Sequence, residues 1–271
     1  MKVAAYQAPL LSCGFKATIS LVREQVSRCE SEGIEILCCP EGILGGLADY
    51  APRPKEVAID VEAGELEEVL APLASHTVTS IVGFTETTGA GRLYNTAAVY
   101  YRGAVIGLYR KLYPAIRKSV CDAGVEIPVF EVDGLTFGIV ICLDSNYLEP
   151  ARIMAARGAT ALFVPTNNGL PPEKADVALR VQARNVDIAR AVDNTVSVIR
   201  ADVAGRTENL ISYGSSGIVD ADGVVLASAR ELTEELLVAD IETSPREPRR
   251  GWNASINRSV VQEYARLVGH T

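Results

Sequence analysis

Short apolar runs alternate with amphipathic stretches along most of the 271-residue chain. Three two-residue turns, Arg102-Gly103, Asp133-Gly134 and Asp222-Gly223, each separate two apolar runs. Such turns between alternating apolar residues are typical of β-hairpins. Other runs are joined by helical stretches, such as 15–32 and 173–192, which predict βα units. Hairpins and βα units in one chain predict a layered α/β fold with mixed sheets.

The composition supports one large domain. Hydrophobic residues make up 48% of the chain, which is ample for a sizeable core. We therefore predict a single domain over residues 1–271, with its core over about 3–241. The segment from about 245 to 271 carries little periodic pattern, which predicts a C-terminal arm or a mobile tail.

Charge and hydropathy argue against two classes of partner. The net charge of −8 is not offset by a basic face, which argues against nucleic-acid binding. No apolar run reaches the roughly 18 residues that a bilayer requires, and the first segment does not resemble a signal peptide. The six cysteines show no regular framework and no CxxC pair, which favours a cytoplasmic protein without a metal site.

Histidine is scarce, and this limits the available chemistry. The chain has two histidines, and His270 is the penultimate residue, where order is usually poor. A Cys-His or Ser-His-Asp mechanism would therefore depend on His76 alone. We expect a glutamate, an aspartate or a lysine to act as the base of any catalytic site.

Three residues of suitable chemistry, Glu41, Lys111 and Cys142, each follow an apolar run that predicts a buried strand. Taken singly, they are more simply interpreted as a surface carboxylate, a solvated lysine and a core thiol. Together they complete one mechanism. A thiolate attacks, a carboxylate accepts its proton, and a fixed cation stabilises the oxyanion that develops.

Six segments closely resemble motifs of the nitrilase, or carbon–nitrogen hydrolase, superfamily, in the same order and spacing. They are LCCPEGIL with Glu41, YRKLYP with Lys111, GIVICLDSNYLEPAR with Cys142, LFVPTNNG, ARAVDNTVSVIRADVAG and YGSSGIVDADGVV. The resemblance implies a four-layer αββα sandwich of two similar halves that pairs into homodimers or larger oligomers. It also implies cofactor-free and metal-free hydrolysis of nonpeptide C–N bonds through a cysteine-bound thioester.

The resemblance also implies roles for individual residues. Glu41 would be the base, Lys111 the stabiliser of the oxyanion and Cys142 the nucleophile. The backbone N–H of Leu143 would join Lys111 around the oxyanion. Asn167 follows a strand that lines the pocket in relatives, and it would either face the substrate or serve as a turn residue.

The chain departs from the family pattern at three positions. Many members carry a second glutamate between the lysine and the cysteine, where this chain has Arg117. That arginine would either bind a substrate carboxylate in bidentate fashion or be a solvated residue. Leu143 stands where relatives often have an aromatic residue, and Asp193 replaces a glutamate of the long helix.

The leading hypothesis is a hydrolase for a small amide or carbamoyl compound. The triplet Cys-Leu-Asp at 142–144 resembles amidase-like members, whereas nitrile-cleaving members more often show Cys-Trp-Glu. A nitrilase proper and an acyltransferase are alternatives within the same chemistry. The arginine at position 117 motivates a third alternative, a catalytically silent binding protein.

Overall fold

Two mixed β-sheets form the centre of the molecule in the computed structural model, which describes residues 1–10, 15–115, 118–245 and 258–268. The strands are β1 (Lys2–Pro9), β2 (Ile36–Cys38), β3 (Ala58–Asp60), β4 (Thr79–Thr87), β5 (Leu93–Tyr101), β6 (Ala104–Arg110), β7 (Phe130–Val132), β8 (Leu135–Ile139), β9 (Ala161–Pro165), β10 (Ser197–Ala201), β11 (Val203–Arg206), β12 (Ile211–Ser212), β13 (Gly217–Val219), β14 (Val225–Ser228) and β15 (Glu235–Asp240). The helices are α1 (Phe15–Glu32), α2 (Glu65–Leu70), α3 (Leu148–Ala156), α4 (Ala178–Asn194) and α5 (Arg258–Val268).

The order of the strands brings the ends of several parallel strands to common edges. The first sheet has the order β12-β11-β1-β2-β4-β5-β6, with β15 beside β1 and β3 beside β4. The second sheet has the order β14-β13-β10-β9-β8-β7. The pairs β1–β2, β2–β4, β8–β9 and β9–β10 are parallel. Residues that follow β8 and β9 therefore lie at the same edge of the second sheet.

Side chains of the strands alternate between two cores. Val3 and Ala5 of β1 contribute to the core between the sheets, together with Phe137 and Phe163 of the second sheet. Tyr6 faces the other way and belongs to the core under α1 and α2. Helices α3 and α4 pack on the outer face of the second sheet. The four-layer αββα sandwich predicted from the sequence is thereby confirmed.

The predicted hairpins are present, and their turns differ in type. Arg102 and Gly103 both have positive φ, at 48° and 81°, and Asp133 and Gly134 do so at 47° and 83°. Two consecutive positive values define a type I′ turn, whose twist matches that of antiparallel strands. At the third turn only Gly223 has a positive φ, and the β13–β14 pair contains a register shift.

Two helices differ from the sequence-based prediction. The helix predicted over 173–192 begins at Ala178, whose N–H donates to the Asp176 carboxylate at 2.8 Å. The C-terminal segment, predicted to carry little pattern, contains α5, and the Tyr264 hydroxyl on this helix donates to Glu149 at 2.7 Å. None of the helices in the described segments is long and apolar enough to cross a membrane.

Candidate active site

Glu41 lies just beyond β2, between the two sheets. Its backbone N–H donates to the carbonyl oxygen of Thr166, directly after β9, at 3.3 Å. Gly83 of β4 makes room for this path, because a Cβ there would lie 2.6 Å from the nitrogen of Gly42 and 2.9 Å from the Cα of Glu41. Glu41 is buried in this position.

Three donors hold the Glu41 carboxylate in one orientation. Oε1 accepts from Lys111 Nζ at 2.5 Å and from Asn95 Nδ2 at 2.7 Å. Oε2 accepts from the backbone N–H of Asn167 at 3.0 Å. Only 3% of each side chain of the Lys111–Glu41 pair is exposed. A buried ion pair requires such additional hydrogen bonds to offset its desolvation.

Lys111 follows β6 and is held by the neighbouring strand as well as by Glu41. Its backbone N–H donates to the carbonyl oxygen of Asn95 in β5 at 2.8 Å. Burial by itself lowers the pKa of Lys111, but the charges of Glu41 and Cys142 and the hydrogen bond to Glu41 raise it above its ordinary value. The ammonium group therefore remains charged beside the thiol.

Cys142 begins a 3₁₀ turn, Cys142–Asn146, which follows β8 after two buried residues, Val140 and Ile141. Its φ is 47°, in the left-handed region that non-glycine residues seldom adopt. Such a conformation costs on the order of 1–3 kcal/mol and persists where the surroundings hold it. The residues at 139–141 are fully buried, whereas Cys142 as a residue is partly exposed.

The buried carboxylate of Asp144 joins the loop after Lys111 to the turn that carries Cys142. Its donors are the Tyr109 hydroxyl at 2.7 Å and the N–H groups of Tyr113 at 2.8 Å, Ile141 at 3.2 Å and Leu112 at 3.4 Å. Burial raises the pKa of Asp144 to about 6, although the charge of Lys111 and the hydrogen bonds from Tyr109, Tyr113 and Ile141 act in the opposite direction. Asp144 thereby sets the position of the amine relative to the sulphur.

A buried arginine supports the same turn from within the second sheet. Arg200 donates from Nε and Nη2 to Asp187 of α4, at distances from 2.5 to 3.0 Å. It also donates to Thr166 at 2.8 Å and to Ser145 at 3.0 Å. The Ser145 hydroxyl in turn donates to the carbonyl oxygen of Cys142 at 2.7 Å.

Burial, followed by the negative charge of Glu41, raises the pKa of the Cys142 thiol to about 12, and Lys111 opposes this rise. The resting site therefore holds a protonated sulphur at neutral pH. The thiolate is the reactive form of cysteine. The carboxylate of Glu41 lies close enough to act on this thiol electrostatically.

We expect the free energy of unfolding to decrease above pH 9, with Cys142 causing part of the decrease. The unfolded thiol ionises near pH 9 and the folded one near pH 12, so the unfolded state loses protons first as the pH rises. The stabilisation is therefore complete below pH 9 and is lost between these two values. Substitution Cys142→Ser should make the decrease shallower by roughly 1 kcal/mol per pH unit.

Urea unfolding of both proteins under reducing conditions, between about pH 8 and 11, measures this effect. The other buried thiols titrate in both proteins, so their contribution cancels in the difference. Parallel stability curves would contradict the raised pKa of Cys142.

The predicted site residues are placed as follows. Glu41 and Lys111 are in contact, and the charges of both act on the Cys142 thiol. Leu143 follows Cys142 in the 3₁₀ turn and is half-buried. Arg117 lies outside the described residues. The catalytic and substrate-binding roles of all these residues stay predictions.

The side chain of Asn167 forms hydrogen bonds with neighbouring backbone groups. Its Nδ2 donates to the carbonyl oxygen of Glu41 at 3.4 Å, and its Oδ1 accepts the N–H of Gly169 at 3.0 Å. This is the turn geometry that asparagine commonly adopts. Of the two interpretations of Asn167 made from the sequence, the contacts favour the turn residue.

Three polar residues of the site were not singled out from the sequence. Asn95 binds Glu41, Asn168 faces Cys142, and Asp202 holds Asn168. Asn168 and Asp202 each follow a predicted strand, β9 and β10, which is the signal that indicated the other site residues. Asn95 has no such local signal, because it lies within a strand.

A family model decides where this chain belongs. Residues 2–249 match the model of the carbon-nitrogen hydrolase family. The chain belongs to that family. As a member of the carbon-nitrogen hydrolase family it is a C–N hydrolase, in agreement with the motifs around Glu41, Lys111 and Cys142.

Individual proteins of known name are also similar to this chain. The chain is 29% identical over 248 residues to a hydrolase from Pseudomonas protegens, covering 89% of this chain and 83% of that protein. It is 28% identical over 229 residues to a nitrilase from Pyrococcus abyssi, covering 82% of each. It spans 46% of the length of the glutamine-dependent NAD(+) synthetase of Xylella fastidiosa, at 28% identity.

A solved structure shows the same fold. The amidase from Nesterenkonia sp. superimposes with a TM-score of 0.77 at 21% identity, covering 97% of this chain and 95% of that one. At this identity the likeness concerns the fold, and the substrate must be argued from the site.

Proposed function

We propose that this C–N hydrolase cleaves a small amide or carbamoyl compound through a thioester on Cys142. The observation that carries the proposal is the buried Glu41–Lys111 pair, 2.5 Å apart, whose charges act on the thiol of Cys142, a partly exposed residue with a left-handed backbone conformation. These are the base, the cation and the nucleophile that acyl transfer requires.

The proposed acylation step uses all three groups. Glu41 takes the proton from Cys142 Sγ as the sulphur attacks the carbonyl carbon of the substrate. The carbonyl oxygen becomes an oxyanion, which Lys111 Nζ and the backbone N–H of Leu143 stabilise. Glu41 then gives the proton to the leaving nitrogen, the C–N bond breaks, and ammonia or an amine departs from the thioester.

Water completes the reaction. Glu41, ionised again, takes a proton from water as its oxygen attacks the thioester carbon. The C–S bond breaks, the proton returns to the sulphur, and the acid is released. Loss of one oxyanion donor is worth about 2.7–4 kcal/mol in comparable sites, so Lys111 accounts for a large share of the rate.

The substrate-side residues are part of the proposal. Leu143 would supply its N–H and a pocket wall, and Arg117 would bind a carboxylate of the substrate if it reaches the pocket. Asn167 would act through its backbone N–H, which holds the base. A nitrile substrate remains the second candidate, because a relative at 28% identity is a nitrilase.

A panel of primary amides, carbamoyl compounds and nitriles tests the proposed function. We expect ammonia release from amides or carbamoyl compounds, and intact-mass spectrometry should show an acyl adduct on Cys142 during turnover. Acid formed from nitriles alone would favour a nitrilase, and amide products formed with added amines would indicate an acyltransferase. No turnover, with a thiol that iodoacetamide labels no faster than free cysteine, would favour a silent binding protein.

We also propose a homodimer or larger homo-oligomer and a cytoplasmic location. Exposed apolar side chains on α4 support the first, among them Val181 at 62% and Val192 at 45% exposure. A patch of such residues on a helical layer is typical of a surface that pairs with another copy.

A further inference from the structure

The amide oxygen of Asn168 faces the sulphur of Cys142, and its orientation follows from its neighbours. Nδ2 of Asn168 donates to Asp202 Oδ2 at 2.9 Å and to Ser215 Oγ at 3.3 Å. A carboxylate accepts and does not donate, so the amide nitrogen must face Asp202. The amide oxygen Oδ1 is thereby turned to the other side, where it lies 4.0 Å from Cys142 Sγ.

The carboxylate of Asp202, which orients this amide, is itself fixed by several hydrogen bonds. Asp202 is fully buried at the end of β10 and accepts from the N–H of Val203 at 2.8 Å and from Ser215 Oγ at 2.6 Å. It also accepts the backbone N–H of Asn168 at 3.0 Å. Because β9 and β10 are parallel neighbours, two adjacent strands fix the oxygen relative to the sulphur.

In the resting site this oxygen faces a poor partner. A thiol is a weak donor, and 4.0 Å is a long distance for a hydrogen bond. Once Cys142 has lost its proton, the oxygen faces an electron-rich sulphur and has no donor there. The geometry therefore suits a hydrogen-bond donor that arrives with the substrate.

An amide substrate supplies that donor. The carbon under attack lies roughly 3–3.5 Å from the nucleophile, so a nitrogen bonded to it comes within hydrogen-bond reach of an atom on the same side of the sulphur. An amide or carbamoyl nitrogen carries hydrogen for Asn168 Oδ1, whereas the carbonyl oxygen is directed to Lys111. A nitrile nitrogen and an ester oxygen carry none.

We propose that Asn168 is a specificity-determining residue that accepts the N–H of the scissile amide. It selects primary amides and carbamoyl compounds over nitriles and esters. This inference rests on the proposed function, because it requires the sulphur of Cys142 to be the attacking atom.

The test compares a primary amide and the methyl ester of the same acid in wild type and in Asn168→Leu. The leucine keeps the approximate volume and removes the acceptor. The ratio of kcat/KM for amide to that for ester should fall about 10–100-fold, the effect of one lost hydrogen bond to a buried group. Asn185→Leu makes the same replacement at an exposed position of α4, and its ratio should stay within about threefold of wild type.

Equal loss on both substrates would show a merely structural role for Asn168 and overturn the inference while the proposed function stands. A wild type that releases acid from neither substrate overturns both. If Asn168→Leu does not fold, as judged by circular dichroism, wild type is assayed on primary, N-methyl and N,N-dimethyl amides. The dimethyl amide lacks an N–H and should be hydrolysed at least about tenfold more slowly than the N-methyl amide, and equal rates would overturn the inference.

Discussion

Substitution Cys142→Ala should reduce kcat/KM for every substrate of this hydrolase by about 10⁴-fold or more. Removal of the nucleophile from a catalytic unit abolishes the covalent route and leaves only binding and oxyanion stabilisation. The protein should still fold, because the hydrogen bonds around position 142 come from its backbone and from Ser145 and Asp144. Steady-state kinetics and thermal unfolding measure the two effects separately.

Cys29→Ala is the matched control for this substitution. Cys29 is a fully buried thiol of α1 in the outer core, and it lies in a different layer from the site. Its loss should lower stability and leave kcat/KM close to that of wild type. If Cys142→Ala were as active as Cys29→Ala, the sulphur at position 142 would not be the nucleophile.

Glu41→Gln should lower both activity and stability. A glutamine keeps the shape of the side chain but cannot take the proton of the thiol, which predicts a decrease of kcat by about 10²–10⁴-fold. It also leaves the buried ammonium of Lys111 without a counter-charge, which costs about 3–5 kcal/mol when one partner of a buried pair is removed. Kinetics on the best amide and urea unfolding measure the two losses.

Glu86→Gln separates these two effects. Glu86 is another buried carboxylate, and it pairs with Arg110, the residue before Lys111, without facing the sulphur. Its substitution should destabilise the protein and leave the rate of a folded sample near that of wild type. A Glu41→Gln enzyme that retained more than about a tenth of wild-type kcat would exclude general-base catalysis by this carboxylate.

Much of the fold could be predicted because its signals are local. Arg102-Gly103 and Asp133-Gly134 adopt the positive φ values that two-residue hairpins require, so these two hairpins follow from the turn residues themselves. The helix Phe15–Glu32 was predicted to its ends from its apolar spacing. The start of α4 was not predicted correctly, because the helix begins where the Asp176 side chain accepts the N–H of Ala178, a contact that the hydrophobic pattern does not mark.

The candidate site was predictable in part for the same reason. Glu41, Lys111 and Cys142 follow buried strands, and this position along the chain marks residues that face a crevice. Asn95 binds Glu41 from within a strand. Asp144 accepts hydrogen bonds from Tyr109, which is 35 positions earlier in the chain, and from Tyr113, which is 31 positions earlier. No local pattern encodes contacts of that kind.

The sequence by itself determined the layered α/β class, the positions of the hairpin turns and the three residues of suitable chemistry, because turn conformation and strand burial depend on neighbours in the chain. Only the tertiary structure decided that Glu41 and Lys111 meet at 2.5 Å and that Asn168, not Asn167, presents its amide oxygen to the sulphur. Glu41 and Lys111 follow β2 and β6 of the first sheet, and Cys142 and Asn168 follow β8 and β9 of the second. Each contact therefore depends on the order of the strands within a sheet, a long-range property that adjacent residues do not specify.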